Sequence, residues 1–270
     1  MKWGLIYNYN LEKAFSLAEK IYGFLRKKGV VFAEESFAKK KNIEGYSLED
    51  INKNADIVIT IGGDGTILRA LEKIDKPIFA INSGGMGFLT ECNPENAIDG
   101  LNQIIEGKYN VEERAKLKVT VDGKRLPDAA NEVTVQTAKI AKMIHLEIYV
   151  DDELLETFGA DGVIVATSTG STSYSLSAGG PIVDPAVHAM VITPLAPFKL
   201  STRPWVVPLY KKIGVKSLPK SKDSKIVIDG ESALSITLDS KIEITASEKK
   251  AHFVRFGESF YQMVRLKLVR

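Results

Sequence analysis

The sequence holds a single cysteine, Cys92, and three histidines, His145, His188 and His252. One thiol rules out an internal disulfide and a cysteine-based metal cluster, and it agrees with a reducing compartment. Cys92 reads as a small filler in a loop. The histidines stand far apart and lack the i, i+4 spacing of a helical zinc site. Long apolar runs are missing as well. None approaches the roughly 18 residues that cross a bilayer, so no transmembrane helix is expected. The opening MKWGLIYNYN turns polar within a few residues and offers no signal-peptide core, which leads us to expect a cytoplasmic protein without a membrane partner. Nor is there an excess of one charge. With 36 basic and 34 acidic residues the net charge is +2, too balanced to attract nucleic acid by bulk electrostatics. The clusters Lys39-Lys40-Lys41 and Lys249-Lys250 read as solvated faces. Walker A and GxGxxG fingerprints, internal repeats and low-complexity linkers are all absent.

What is present is an ordinary globular composition, 44% hydrophobic and 26% charged, in 270 residues, long enough for two domains. Trp3 to Tyr7 is a short apolar run. Ala14, Leu17, Ala18, Ile21 and Leu25 then recur at helical spacing until Gly29, which reads as the helix stop. Val30 to Ala33 is a predicted strand, and Asp56 to Ile61 is a β-branched run suited to a strand buried on both faces. A helix over Thr66 to Ile74, a strand over Pro77 to Asn82 and a helix carrying Ala97, Ile98, Leu101, Ile104 and Ile105 follow. Alternating strands and helices imply a Rossmann-like parallel sheet covered by helices. After about Tyr109 the period becomes two: Leu117, Val119 and Val121 run into Asp122-Gly123, Ile144 to Val150 into Asp151-Asp152, and Ile226 and Ile228 into Asp229-Gly230. The expected fold is therefore an α/β domain of residues 1–110 plus 253–270, and a mostly antiparallel, β-sandwich-like domain of residues 111–252. A helix over Ser259 to Leu268 is expected to return to the first domain.

The chemistry centres on Gly62-Gly63-Asp64-Gly65-Thr66, directly after the buried strand. Glycines let backbone N–H groups approach a ligand without a Cβ in the way, and a following helix N-terminus favours phosphate oxygens. An acidic side chain repels phosphate at such a seat. Asp64 makes sense there if it holds Mg²⁺ through solvent or accepts a proton from an attacking hydroxyl; the plainer alternative is a helix cap. A second cluster, Asp161 to Val183 (DGVIVATSTGSTSYSLSAGGPIV), delivers hydroxyls and glycines from an apolar strand, with Tyr174 offering a ring for stacking on a base.

GGDGT, the pair Asn131-Glu132 and DGVIVATSTGSTSYSLSAGGPI occur in this order and at these spacings in the NAD kinases, which the chain resembles along nearly its whole length. The loop Gly84-Gly85-Met86-Gly87-Phe88-Leu89, Thr193-Pro194, Leu200-Ser201 with Arg203-Pro204, and Asp229-Gly230-Glu231 extend the resemblance. It implies phosphorylation of the adenosine-ribose 2′-hydroxyl of NAD to give NADP, with ATP or polyphosphate as donor and Mg²⁺ or another divalent cation as cofactor. By the same resemblance Asp64 takes the hydroxyl proton. Gly62, Gly63 and Gly65 shape the donor seat, with Thr66 opening the helix. Asn131, Glu132, Asp161, Thr172, Ser173 and Tyr174 bind the dinucleotide, flanked by Thr169 and Ser177, with Phe88, Lys142 and Glu231 as further contacts. No protein ligand to a metal is assigned. The partners implied are small-molecule nucleotides, without nucleic acid or membrane, and a homodimer or homotetramer is implied by analogy.

The chain departs from the family pattern at Ser168, where proline is common and a less rigid loop is expected. It departs also at Ser173 in place of alanine, at Gly159 where a basic residue is common, and at Glu231 in place of an amide. A lipid kinase sharing GGDGT would need an apolar groove or a basic amphipathic helix. A phosphofructokinase-type enzyme would need a second α/β half. A pocket kept without turnover would be an NADP sensor, which the presence of Asp64 argues against.

Overall fold

The computed structural model describes residues 1–84, 87–219, 223–257 and 260–268. Gly85, Met86 and Ser259, and residues 269 and 270 of the expected first domain, lie outside them. The chain divides into two compact units, Met1–Glu113 with Ala251–Arg270, and Arg114–Lys250.

In the first unit, strands β1 (Lys2–Tyr7), β2 (Val30–Ala33), β3 (Ile57–Gly62) and β4 (Ile78–Asn82) alternate with helices α1 (Glu12–Leu25), α2 (Glu35–Lys41), α3 (Leu48–Asn54), α4 (Asp64–Leu71) and α5 (Ala97–Ile105). The strands pair in parallel in the order β2-β1-β3-β4. All six residues of β3 are buried, as its β-branched composition requires of a central strand. Helix α1 turns Ala14, Ala18, Ile21 and Leu25 onto the core shared with Trp3, Ile59 and Phe79. Gly29 does not end that helix through a left-handed turn. A Cβ there would lie 2.1 Å from the Met1 carbonyl oxygen, so close backbone approach explains the glycine. Two short helices, α2 and α3, occupy the stretch between β2 and β3, where the sequence shows no clear period. Lys40 and Lys41, at the end of α2, pair with Glu12 and Glu19 of α1 as well as facing solvent.

The second unit is built from most of β5 (Asn110–Val121), β6 (Lys124–Arg125), β7 (Glu132–Thr137), β8 (Ile144–Val150), β9 (Glu153–Ala160), β10 (Gly162–Thr167), helix α6 (Tyr174–Ser177), β11 (Ala189–Leu195), β12 (Trp205–Pro208), β13 (Ile213–Ser217), β14 (Ser224–Ile228), β15 (Ser232–Ile236) and most of β16 (Ile242–Arg255). Six strands form an antiparallel sheet in the order β12-β11-β10-β7-β14-β15. A second antiparallel set, β16-β13-β8-β9 with β5, packs over it, and Val119, Val133, Val135, Leu146, Val163 and Ile213 share one core. The two facing sets give the sandwich expected from period-two patterning.

The last strand leaves the second unit and its end joins the first, where Phe253 pairs in parallel with Ile78 of β4. Helix α7 (Phe260–Leu268) follows and belongs to the first unit, where Lys267 lies 5.2 Å from the centre of the Phe88 ring. No helix among the described residues is long and apolar enough to cross a membrane.

Candidate functional site

In the first unit the GGDGT turn joins β3 to α4. Gly62 ends the strand, Gly63 is the N-cap with extended backbone, and the helix opens at Asp64 rather than at Thr66. The earlier start follows from the bonds Thr66 N–H to the Gly63 carbonyl at 3.0 Å and Ile67 N–H to the same oxygen at 3.4 Å. The three glycines differ in what they allow. A Cβ on Gly62 would sit 2.2 Å from Thr66 Oγ1, so that glycine is required by packing against the buried threonine. Among the described residues, a Cβ on Gly63 or Gly65 would meet nothing within 4 Å. Open space therefore stands over the helix N-terminus at the two positions where a phosphate seat needs it.

Asp64 does not cap its own helix. Its carboxylate accepts the backbone N–H of Phe88 at 2.8 Å and of Leu89 at 3.1 Å, in the second glycine-rich loop. That approach depends on Gly87, because a Cβ there would lie 2.5 Å from Asp64 Oδ1. The loop is in turn stapled to the sheet: Glu91 N–H donates to Ala80, Asn82 N–H to Cys92 and Ser83 N–H to Gly62, at 2.8, 2.9 and 3.1 Å. Burial raises the Asp64 carboxyl above the usual range, while the two N–H groups and the charges of Lys267 and Arg255 pull it back. A carboxylate held this way is more basic than one in water and cannot rotate freely.

In the second unit the ligand-binding candidates gather around the start of β7. Asn131 and Glu132 are both 6% exposed. Their backbone is braced by Asp229, whose carboxylate accepts the N–H groups of Ala130, Asn131 and Glu132 at 2.7, 2.8 and 2.9 Å. Glu132 Oε1 accepts the Ser173 hydroxyl at 3.3 Å, while Oε2 is buried with no hydrogen-bond partner among the described residues. Burial, with the charge of Asp229 beside it, pushes Glu132 up to about 7. Thr167 ties the strand end to this turn: its hydroxyl donates to the Ala130 carbonyl at 2.8 Å and accepts the Gly170 N–H at 2.9 Å. Gly170 packs so closely that a Cβ would fall 2.1 Å from the Asn131 carbonyl oxygen.

The hydroxyl-rich segment folds as a short 3₁₀ turn, Gly170–Thr172, and the four-residue α6. Thr169 Oγ1 accepts from Arg114 at 3.2 Å and Thr172 donates to the Thr169 carbonyl at 3.2 Å. Tyr174 is 40% exposed, leaving its ring accessible. Ser168 stands where a proline is common, and its hydroxyl is shared between the carbonyls of Val187 and Ala189, a tether that a proline could not make. A Cβ on Gly159 would lie 2.5 Å from Met143 Sδ, a flexible side chain that can shift aside, so crowding alone does not require glycine there.

The structure thus brings Asn131, Glu132, Ser173 and Tyr174 together, with Thr169 and Thr172 adjoining. Lys142, Asp161, Ser177 and Glu231 carry exposed side chains outside this bonded group. Asp229 was legible as a turn former and as part of the Asp229-Gly230-Glu231 pattern: with Gly230 it has positive φ, 49° and 77°, as a tight hairpin requires. Its bracing role left no sequence signal, and neither did the dependence of Asp64 on Gly87. A cavity of about 330 Å³ elsewhere in this unit is lined by Tyr149, Lys212, Lys241 and Glu243 and includes none of the candidate residues. Among the described residues no three His, Cys, Asp or Glu side chains could hold a metal ion.

The family profile for the ATP-NAD kinase N-terminal domain matches residues 3–109, and that for the ATP-NAD kinase C-terminal domain matches residues 130–256. An NAD kinase of Methanothermobacter thermautotrophicus is 44% identical over 274 aligned residues, covering 100% of this chain and 96% of the relative. One from Thermococcus kodakarensis is 40% identical, with 99% of each chain covered. Among solved structures, an NAD kinase from Archaeoglobus fulgidus in complex with ATP superposes with a TM-score of 0.78 at 31% identity, covering 98% of this chain and 99% of that one. A yeast NADH kinase complexed with NADH shares the fold, with a TM-score of 0.92 at 22% identity over 98% of this chain and 86% of its own.

Proposed function

Because the chain belongs to the NAD kinase family and phosphorylates NAD, we propose that Asp64 is the group that accepts the proton of the adenosine-ribose 2′-hydroxyl as the phosphoryl group arrives. The observation that carries this reading is the Asp64 carboxylate fixed by two backbone N–H groups at a helix N-terminus, beside glycines whose missing side chains leave open space. A carboxylate of about pKa 4 in water is a weak base toward an alcohol. Raising it by burial helps, but the proton still moves late in a loose transition state, and positioning and charge stabilisation supply most of the rate.

In this reading Gly63 and Gly65 leave room for the donor's phosphates, and the N–H groups at the start of α4 face the phosphate oxygens. Asn131 and Glu132 bind base and ribose groups of the dinucleotide. The buried, unpartnered Glu132 Oε2 supports this, since it calls for a donor such as a ribose hydroxyl or an exocyclic amine. Ser173 and Tyr174 complete that surface, with Thr169, Thr172, Ser177, Asp161, Phe88, Lys142 and Glu231 as outer contacts. A divalent cation, Mg²⁺ by our reading, fits these residues as an ion carried mainly by donor phosphates and water. When bound it would neutralise charge on the transferring group. ATP and polyphosphate both present the phosphate chain that such a seat accepts.

The lone Cys92 fits a cytoplasmic setting. Assembly into a homodimer or homotetramer is supported by the edge strand β12, where Trp205 and Val206 are 44% and 52% exposed. The direct test is purified protein with Mg²⁺, NAD and either ATP or polyphosphate, read out as NADP formed. NADP should appear with at least one donor; no NADP with either would remove the proposed chemistry.

A further inference from the structure

The loop that holds Asp64 is itself held from a distant part of the chain. Leu89, whose N–H bonds the Asp64 carboxylate, has its carbonyl oxygen 3.3 Å from Arg255 Nη1. The same Nη1 donates to Glu91 Oε2 at 2.8 Å, and Arg255 Nε donates to Glu112 Oε2 at 2.8 Å. The other oxygen of Glu91 accepts the Phe256 N–H at 2.7 Å. The Glu91 side chain is 3% exposed and that of Arg255 13%, so this ion pair is shielded from water. The guanidinium also lies 5.0 Å from the centre of the Phe253 ring, on the strand end that pairs with β4. The chemistry described above uses Arg255 only as one of the charges that lower the Asp64 carboxyl, and a surface salt bridge would be too weak and mobile to hold the loop. A shielded pair whose guanidinium also bonds the carbonyl of Leu89, the residue whose N–H holds Asp64, is different: it restricts how the backbone of that residue is oriented.

We propose that Arg255 is a positioning residue for phosphoryl transfer, which locks the Phe88–Leu89 peptides through Glu91 and the Leu89 carbonyl so that Asp64 is aimed at the substrate hydroxyl. The inference rests on the reading of Asp64 as proton acceptor. Arg255 touches no substrate in this account. Its effect passes through the loop, so its loss disturbs the chemical step more than the binding of dinucleotide, whose assigned contacts lie in the second unit apart from the outer contact Phe88.

Steady-state kinetics on Arg255→Met, Arg255→Lys, Asp64→Asn and the double variant Glu91→Gln/Arg255→Met test this. Arg255→Met should lower kcat on the order of 10²-fold, the effect of a displacement of about 1 Å at a reacting group, with KM for NAD changed by less than about threefold. Arg255→Lys, which keeps the charge but offers one nitrogen for the partners Leu89, Glu91 and Glu112, should recover only part of that loss. Where Arg255→Met fails to fold because Glu91 is left buried and unpaired, the double variant removes the orphaned charge. It should fold and still turn over slowly. A folded Arg255→Met or double variant with kcat near that of the parent would overturn the proposal, as would a KM for NAD that rises in step with the fall in kcat. Asp64→Asn separates the two readings. Near-normal turnover in that variant would remove the proton acceptor itself, whereas its loss alongside an undiminished kcat in Arg255→Met removes only Arg255.

Discussion

Asp64 in the first unit and Asp229 in the second are both carboxylates that accept successive backbone N–H groups, two for Asp64 and three for Asp229, and burial raises both above the ordinary range. Their surroundings divide their roles. Asp64 opens a helix beside glycines with open space over them, so the acid is free to meet a ligand. Asp229 sits in a hairpin, and its bonds are used to fix the peptides of Ala130, Asn131 and Glu132. In the first unit the backbone steadies the reactive side chain; in the second a side chain steadies the backbone that presents the reactive residues. Buried polar networks of this kind are costly when half satisfied, so the unpaired Glu132 Oε2 marks a place suited to a ligand's hydrogen-bond donor.

Substitutions that treat the two carboxylates alike should therefore give unlike results. Asp64→Asn keeps the shape of the side chain but removes the base, and turnover should fall on the order of 10³-fold. Calorimetry should find NAD affinity within about threefold of the parent. Asp229→Ala should act on stability and affinity together. Losing charge-assisted bonds to three N–H groups costs roughly 2 kcal/mol by thermal or chemical unfolding, and NAD binding should weaken in parallel. If Asp229→Ala binds NAD normally, the bracing role is wrong.

The glycines sharpen the contrast within the first unit. Gly62→Ala should lower Tm, because its methyl meets Thr66 inside the fold. Gly63→Ala should leave Tm almost unchanged, since alanine for glycine at an N-cap costs only about a few tenths of a kcal/mol to 1 kcal/mol, while KM for the donor rises about tenfold as the methyl enters the phosphate seat. Equal effects of the two on Tm would argue against open space at Gly63. In the second unit, Tyr174→Ala should weaken dinucleotide binding by about tenfold, the scale of one lost base stack. Unchanged affinity would take Tyr174 out of the site.

The smallest expected effect concerns pH. Glu132 rises from 4.5 to about 7 in the folded protein, so between those values the folded state holds more protons than the unfolded one. Its contribution to the stability of the free protein is therefore full below pH 4.5 and is lost as pH climbs toward about 7. A dinucleotide that donates a hydrogen bond to Glu132 favours the ionised form, and affinity should increase a few-fold as pH rises through about 7. Glu132→Gln should flatten that dependence. Affinity that falls with rising pH would mean that a protonated Glu132 is the donor instead.

Much of this was legible in the residues, for identifiable reasons. The β-branched run before GGDGT could only be a buried strand, and period-two alternation with Asp-Gly turns marked the antiparallel half. Asn131, Glu132, Ser173 and Tyr174 were nameable through the resemblance of their motifs to those of the NAD kinases; the residues alone singled out only Tyr174, as a stacking ring. What escaped were pairings between residues far apart in the chain. Arg255 and Glu91 are separated by 164 positions and Asn131 and Asp229 by 98, and no local period encodes such a bond. Helices α2 and α3 escaped for a different reason. Each is seven residues long and buries few apolar side chains, so neither leaves a clear amphipathic stripe.

The most direct test is a crystal structure of the Asp64→Asn variant with NAD and a non-transferable donor bound. Our account predicts the adenosine-ribose 2′-oxygen within about 2.6–3.2 Å of the residue 64 side chain, with donor phosphate lying over Gly63 and Gly65. A 2′-hydroxyl directed away from that side chain, or phosphates seated elsewhere, would contradict it.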